Sequence, residues 1–237
     1  MVRFGDLIGA KELAETNTSQ AYKEIVPEQK EQDSPHGYWD SVFSSEPTQV
    51  QEVAIDDLLP EIYGRTESEF SFPEEIDPVI QAVLAKFDAT EWCKLSDKEK
   101  KTVVEELANA IADDLGLECR PDIYYFEGPS SNQGAYDQST RTIGLNKVLL
   151  ADPQALVDTI PHELRHAYQH ERSLKQETWL DLLYKVNLDP DFYISPVLLP
   201  NGKYLFFTDY YDQLVEAEAR AYANAFLKKE EHNDFSN

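Results

Sequence analysis

The sequence predicts an α+β fold in which a small, mostly antiparallel sheet packs against helices. Apolar residues recur at helical spacing over residues 76–87 and again over residues 103–115. Short runs rich in β-branched and aromatic residues, bounded by turn formers, follow over residues 122–146. Beyond them, helical patterns surround residue 162 and an alanine-rich stretch at residues 210–226. Strands and helices that occur in separate blocks favour the α+β class.

The composition of residues 1–74 predicts an acidic extension, which precedes a main domain over residues 75–237. Residues 1–75 hold 17 acidic and 5 basic side chains, so half of the net charge of −24 lies in a third of the chain. Scattered apolar residues and frequent prolines favour a loosely ordered segment. The alternative is an arm that binds a protein partner through short apolar clusters, such as Tyr38–Trp39 and residues 53–59.

Two scaffold helices are predicted at the start of the main domain. The first has one apolar face, formed by Ile76, Val79, Ile80, Val83, Leu84 and Phe87. The second begins at the capping box Ser96–Glu99 and ends near Gly116. Its apolar stripe comprises Val103, Val104, Leu107, Ile111 and Leu115.

The strand block predicts one strand and one hairpin. Residues 122–126 form the strand, and residues 135–138 pair with residues 142–146 around a short turn. A second hairpin is predicted over residues 197–207, where Asn201-Gly202 lies between two apolar runs.

Three more helices are predicted in the C-terminal half. Asp152 caps the first of them, with Pro153 at its first position. Pro161 removes a backbone hydrogen bond and clashes with the preceding turn, which predicts a kink or a fresh helix start beside it. The other two helices are expected over residues 173–186 and about 209–228.

The motif His162-Glu163-Leu164-Arg165-His166 lies in the first of these helices. Residues four apart share one face of a helix, so both imidazoles can reach one metal ion. Glu163 lies beside them and can pass a proton from a metal-bound water to a leaving amine. Two of the five histidines of the chain fall in this motif, which favours a metal site over a surface helix that happens to carry two histidines.

A catalytic zinc commonly has three protein ligands, so a third ligand is expected elsewhere. His170 would lie about 12 Å along a straight helix from His162, which disfavours it. Glu216 and Glu218 lie among alanines, and small side chains allow their helix to approach the metal-binding helix closely. On these residues alone, all three stay open as the third ligand.

This combination resembles the gluzincin arrangement of zincin metallopeptidases, in which a Glu-x-x-Ala helix follows the HExxH motif. The compact minigluzincins of the ImmA/IrrE type, and zincin-like bacterial toxin domains, are the most similar, over roughly residues 120–227. The family's motif glutamate maps onto Glu216, because Ala219 lies three residues later and Tyr222-Ala223 follow. The chain departs from the family pattern at Pro161 and in the helix and hairpin predicted between the two motifs.

The resemblance implies a zincin-like fold, with the sheet packed against an active-site helix and a second, ligand-bearing helix. It also implies a peptidase with one Zn²⁺ per chain, held by His162, His166 and Glu216, with Glu218 as the reserve ligand. Glu163 would activate water against a peptide bond of a protein or peptide substrate, although other divalent ions fit such a ligand set. Candidates to stabilise the transition-state oxyanion are Tyr136, Tyr210, Tyr211 and Arg220.

The acidic composition opposes binding to nucleic acid or to an anionic membrane. No run approaches the ~20 apolar residues of a membrane span, and the first residues lack the apolar core of a signal peptide. We therefore expect a cytoplasmic protein, while export by a route without such a peptide stays open. Cys93 and Cys119 favour two reduced thiols over a single bridge.

Two alternative roles are compatible with the same motif. A catalytically silent zincin-like module would bind or regulate a partner, with the acidic segment as the partner surface. A toxin-type effector domain would use peptidase chemistry in another biological setting. Glu163→Gln separates the silent module from an enzyme, because only an enzyme loses its effect with that carboxylate.

Overall fold

The computed structural model describes residues 54–73, 75–199 and 203–227. These residues form an α+β protein that is mostly helical, with a three-stranded mixed sheet and a two-stranded sheet. The chain divides into two compact units. Of the described residues, those in the ranges 71–168 and 219–227 form the sheet unit, and those in the ranges 54–70 and 169–218 form the hairpin unit.

The described residues contain eight α-helices and five strands, which are numbered in chain order. The helices are α1 (Ile55–Ile62), α2 (Pro78–Leu84), α3 (Ala89–Trp92), α4 (Asp97–Asp114), α5 (Pro153–Lys175), α6 (Trp179–Leu188), α7 (Phe207–Tyr211) and α8 (Leu214–Asn224). The strands are β1 (Asp122–Phe126), β2 (Gly134–Asp137), β3 (Thr142–Asn146), β4 (Val197–Leu198) and β5 (Tyr204–Leu205). Short 3₁₀ helices occur at Glu67–Glu69, Ala85–Phe87 and Lys147–Ala151.

Most of the predicted acidic extension, including Tyr38–Trp39, lies outside the described residues. Its proposed boundary at residue 74 therefore stays a prediction. Within the described part, α1 buries Leu58 and Ile62 in the hairpin unit, where it packs against α6. Part of this acidic segment is thus folded helix with an apolar face.

The two scaffold helices of the sheet unit are confirmed. Ser96 and Glu99 form the predicted capping box at the start of α4, and the whole predicted stripe of α4 is buried. Gly116 follows that helix with a φ of +65°, a conformation that glycine adopts without a side-chain clash. The predicted apolar face of α2 is wrong at Val79, which is 65% exposed because the short helix buries chiefly Ile80.

The three-stranded sheet has the order β1-β3-β2. The predicted hairpin is confirmed, since β2 pairs antiparallel with β3. The expectation of a mostly antiparallel sheet is wrong for this sheet, because β1 pairs parallel with β3. Asn146, at the end of β3, is hydrogen-bonded to the loop that connects β1 and β2. Its side-chain amide donates to the carbonyl oxygens of Gly128, Pro129 and Asn132 at 2.9–3.2 Å, which holds the connecting loop over the end of β3.

The first 16 residues of α5, 153–168, belong to the sheet unit and contribute to its core. Asp152 caps this helix as predicted, accepting hydrogen bonds from the backbone N–H groups of Gln154 and Ala155. The predicted fresh start beside Pro161 is wrong, because α5 runs unbroken through this proline. Apolar residues on both sides of the proline are buried in one core, which holds the two halves of the helix together despite the lost hydrogen bond: Leu156, Val157, Ile160 and Leu164.

In the hairpin unit, α5 and α6 are separated at residues 176–178, within the range 173–186 over which the sequence predicted one helix. Gln176 has a φ of +52° and ends the helical path. A capping box between Thr178 and Asp181 then starts α6. Arg172 donates two hydrogen bonds, at 2.8 and 2.9 Å, to the buried carboxylate of Asp181, which fixes the angle between the helices.

The second hairpin is confirmed, because β4 and β5 pair antiparallel. Its turn residues Asn201-Gly202 lie outside the described residues. The single helix predicted from about residue 209 is wrong, because α7 ends at Tyr211 and α8 begins at Leu214. Between them Gln213 is fully buried and uses its side-chain amide on the backbone of Ile194, which explains the break. In the part of the chain that is described, none of the helices has the length and apolarity of a membrane span.

Candidate metal centre

Helix α5 presents His162 and His166 one turn apart on the same face. Their Nε2 atoms lie 3.0 Å from each other, and their rings are nearly perpendicular, with an interplanar angle of 84°. Both side chains are half-buried. The two imidazole nitrogens therefore converge on one small volume at the surface of this helix.

Glu216, in the first turn of α8, completes a group with these two histidines. One ligand atom from each of the three residues lies within 4.8 Å of the others. Ligand atoms about 2.1 Å from a tetrahedral ion are about 3.4 Å apart, so the group needs only small side-chain adjustments to share one ion. Glu216 is 1% exposed, and burial of a carboxylate is costly unless a cation or hydrogen bonds compensate it.

Glu163 lies between the two histidines in sequence and is 6% exposed. The first residue of β2 packs closely beside it. A Cβ atom built on Gly134 would lie 3.4 Å from Glu163 Oε1 and only 2.7 Å from Thr159 Cγ2. Glycine at this position lets the start of the strand approach the carboxylate, so β2 and the HExxH helix are in close contact.

The reserve ligand Glu218 is engaged elsewhere. Its carboxylate accepts a hydrogen bond of 2.7 Å from Gln169 Nε2, and the hydroxyl of Tyr184 lies 2.7 Å from both of its oxygens. It is 3% exposed and does not belong to the histidine–glutamate group. His170 is likewise not a member of that group, and its backbone carbonyl oxygen accepts a hydrogen bond from Ser173.

The four candidate oxyanion stabilisers lie in different environments. Tyr136 packs against the core of the sheet unit. The ring of Tyr210 meets the ring of Tyr193 edge-on, with centroids 6.3 Å apart. Tyr211 is exposed and donates a hydrogen bond to Glu67, and Arg220 is half-buried on α8. Their role in catalysis stays a prediction.

Tyr193 is the residue at this centre that the sequence analysis missed. Its hydroxyl donates a hydrogen bond of 2.7 Å to Oε1 of Glu216. Tyr193 lies in the irregular segment between α6 and β4, where no periodicity or motif singles it out. Only a general rule could have indicated such a residue, namely that a metal-binding carboxylate commonly has a hydrogen-bond partner.

Arg165, inside the HExxH motif, is 6% exposed and has a structural environment. Its guanidinium lies over three aromatic rings, at 4.3 Å from Tyr168, 5.1 Å from Phe72 and 5.3 Å from Tyr222. Burial raises the pKa of Tyr222 well above its ordinary value, although the positive charge of Arg165 opposes that rise. The arginine therefore anchors the face of α5 next to the one that carries the histidines.

No family model, curated protein or solved structure matches this chain.

Proposed function

We propose that this protein is a zinc-dependent peptidase that hydrolyses a peptide bond in a protein or peptide substrate. Its metal ligands are His162, His166 and Glu216, and its general base is Glu163. The observation that carries the proposal is the convergence of these three ligand side chains from two helices that are distant in sequence. The arrangement of an HExxH helix, a second ligand-bearing helix and a small sheet further supports a zincin-like architecture.

The donor atoms fit zinc. Two imidazole nitrogens and one carboxylate oxygen are the ligand types of catalytic zinc sites, and three protein ligands leave a fourth position for water or substrate. Neither cysteine belongs to this group, and Cys93 and Cys119 are both exposed free thiols. We therefore place one zinc ion per chain at this centre.

Zinc bound here would supply a Lewis acid for the scissile carbonyl and would lower the pKa of water towards ~7. Glu163 accepts a proton from the attacking water as the new carbon–oxygen bond forms. It then donates that proton to the amine as the carbon–nitrogen bond breaks, so the carboxylate is regenerated after each turnover.

Strand β2 supports a peptide as the substrate. It is an outer strand of the described sheet, next to β3, and its first residue lies beside Glu163. An extended peptide can add to such an edge by main-chain hydrogen bonds, which recognise the backbone whatever its side chains are. That mode of binding would lay a peptide bond alongside the general base.

Removal of the metal should abolish hydrolysis. We expect the wild-type protein to contain one zinc per chain by elemental analysis and to cleave peptides from a denatured protein, as read by mass spectrometry. Treatment with 1,10-phenanthroline should reduce cleavage to background. Zinc should restore it, whereas magnesium, which prefers six oxygen ligands, should not.

Cleavage that persists in metal-free protein would contradict the proposal. Full zinc occupancy without cleavage of any peptide would favour the catalytically silent binding module instead.

Gly134→Ala should impair hydrolysis without loss of zinc. The new methyl group meets Thr159 Cγ2 at 2.7 Å, which forces β2 away from Glu163. A displacement of about 1 Å of reacting groups can reduce a rate about 100-fold, so we expect kcat/KM to fall by about 10- to 100-fold. The double variant Gly134→Ala/Thr159→Ser lacks the clashing methyl and should recover much of the rate. A single variant with wild-type kcat/KM would show that the close approach of β2 does not matter for the reaction.

A further inference from the structure

We infer that Tyr193 is a positioning residue for the metal ligand Glu216, held in place by a buried pair of amides, Gln213 and Asn187. The inference rests on the metal site proposed above and extends it to residues outside the HExxH and Glu-x-x-Ala motifs.

The contact between Tyr193 and Glu216 has the geometry of a strong hydrogen bond. The phenolic oxygen lies 2.7 Å from Oε1, and hydrogen bonds to a carboxylate are shorter and stronger than those between neutral groups. Glu216 is 1% exposed, so water competes little for this oxygen. A donor fixed on one oxygen restrains rotation of the carboxylate. Glu216 is thereby oriented before an ion arrives, which lowers the entropic cost of binding it.

The backbone next to Tyr193 is clamped by Gln213. Its side-chain Nε2 donates to the carbonyl oxygen of Ile194 at 2.9 Å, and its Oε1 accepts from the N–H of Ile194 at 3.3 Å. One amide thus pairs with both backbone groups of a single residue, as a neighbouring strand would. Gln213 is fully buried, so these two bonds are shielded from water.

Asn187 ties this clamp to the ligand-bearing helix. Its Nδ2 donates to Gln213 Oε1 at 3.0 Å, and its Oδ1 accepts from the backbone N–H of Val215 at 3.0 Å. Val215 directly precedes Glu216, and Asn187 is also fully buried. Two amides therefore connect the end of α6, the segment that carries Tyr193 and the first turn of α8. This network sets the position of the tyrosine hydroxyl relative to the glutamate.

Helix α8 carries a second buried glutamate, Glu218, two residues after Glu216, and it provides a matched comparison. Tyr184 donates a hydrogen bond to the buried carboxylate of Glu218, with its hydroxyl 2.7 Å from the oxygens. That glutamate does not belong to the metal-binding group. Tyr193→Phe and Tyr184→Phe therefore remove the same chemical group from two buried Tyr–Glu pairs, only one of which contains a proposed metal ligand.

The test is the affinity of each full-length protein for zinc, measured by competition with a chromophoric chelator. Loss of a partner that orients a ligand typically weakens metal binding about 10- to 100-fold, so we expect the Kd of Tyr193→Phe to rise by that factor. The Kd of Tyr184→Phe should stay within about twofold of wild type. Saturating zinc should also raise the Tm of Tyr193→Phe less than that of wild type. The Tm of each metal-free variant reports whether the fold itself has been weakened.

A Kd for Tyr193→Phe within about twofold of wild type would overturn the inference. Equal weakening by both variants would also overturn it, since it would indicate general loosening of the unit. Zinc binding that depends on Tyr193, in a protein that cleaves no peptide, would support the inference while contradicting the peptidase. Absence of zinc binding by the wild-type protein would overturn both.

Discussion

Glu163→Gln should abolish peptide hydrolysis while the protein retains one zinc per chain. Glutamine keeps the shape of the side chain but has no basic oxygen to accept the proton of water. Removal of a general acid–base group typically costs about 10²- to 10⁴-fold in rate, and here one carboxylate serves in both proton transfers. We therefore expect kcat/KM for the peptide that the wild-type protein cleaves best to fall by at least about 10³-fold. Elemental analysis of the same preparations should show unchanged zinc.

Glu171→Gln is the matched control for this experiment. Glu171 lies on the same helix and forms an ion pair of 3.4 Å with Lys175. Its replacement removes the same charge from α5 at a position outside the metal-binding group, so activity should stay near the wild-type value. Full activity in Glu163→Gln would exclude Glu163 as the base. Loss of zinc from that variant would mean that Glu163 contributes to the metal site itself.

The local parts of the candidate site could be read from the sequence because they depend on helical spacing alone. His162 and His166 share a face on any regular helix, and Glu163 then lies beside them. The capping box of α4, the proline start of α5 and the hairpin of β2 and β3 are also encoded within a few neighbouring residues.

The third ligand, Glu216, could not be identified from local sequence patterns. It lies 50 residues after His166, and helical periodicity marks Glu216 and Glu218 equally as acidic positions on one helix. Resemblance to a known motif chose between them. In the structure, Gln169 and Tyr184 engage Glu218, whereas Glu216 faces the histidines. That difference comes from residues of other elements, which the spacing within the helix does not reveal.

The position of Tyr193 and the parallel pairing of β1 depend on contacts between residues that are distant in sequence. The position of Tyr193 follows from Gln213, which is 19 residues from Ile194 in sequence. The parallel pairing of β1 joins residues 20 positions apart in the chain, such as Asp122 and Thr142. The separation of α5 from α6 is different, since the Thr178–Asp181 capping box is visible in the sequence. There, Gln176 ends the first helix in a left-handed conformation, and the capping box starts the second one inside the range that was predicted as a single helix.

Glu216→Ala should remove zinc from the protein, whereas Glu218→Ala should retain it. Loss of one of three ligands deprives the ion of a charged oxygen donor. We therefore expect the affinity for zinc to fall by more than the ~100-fold that loss of an orienting partner can cost. The measurement is zinc stoichiometry by elemental analysis on both variants, purified beside the wild type.

The comparison variant Glu218→Ala distinguishes loss of zinc binding from loss of folding stability. Glu218→Ala removes the acceptor of two buried donors, on Tyr184 and Gln169, so it should lower the free energy of unfolding by about 1–3 kcal/mol in urea. Zinc lost from Glu218→Ala but kept by Glu216→Ala would transfer the third ligand to Glu218. Zinc kept by both would point to His170. Because the structure groups only Glu216 with the two histidines among the described residues, we expect the loss to follow Glu216 alone. In that case the ion and the hydrogen bond from Tyr193 would together compensate the cost of burying this carboxylate.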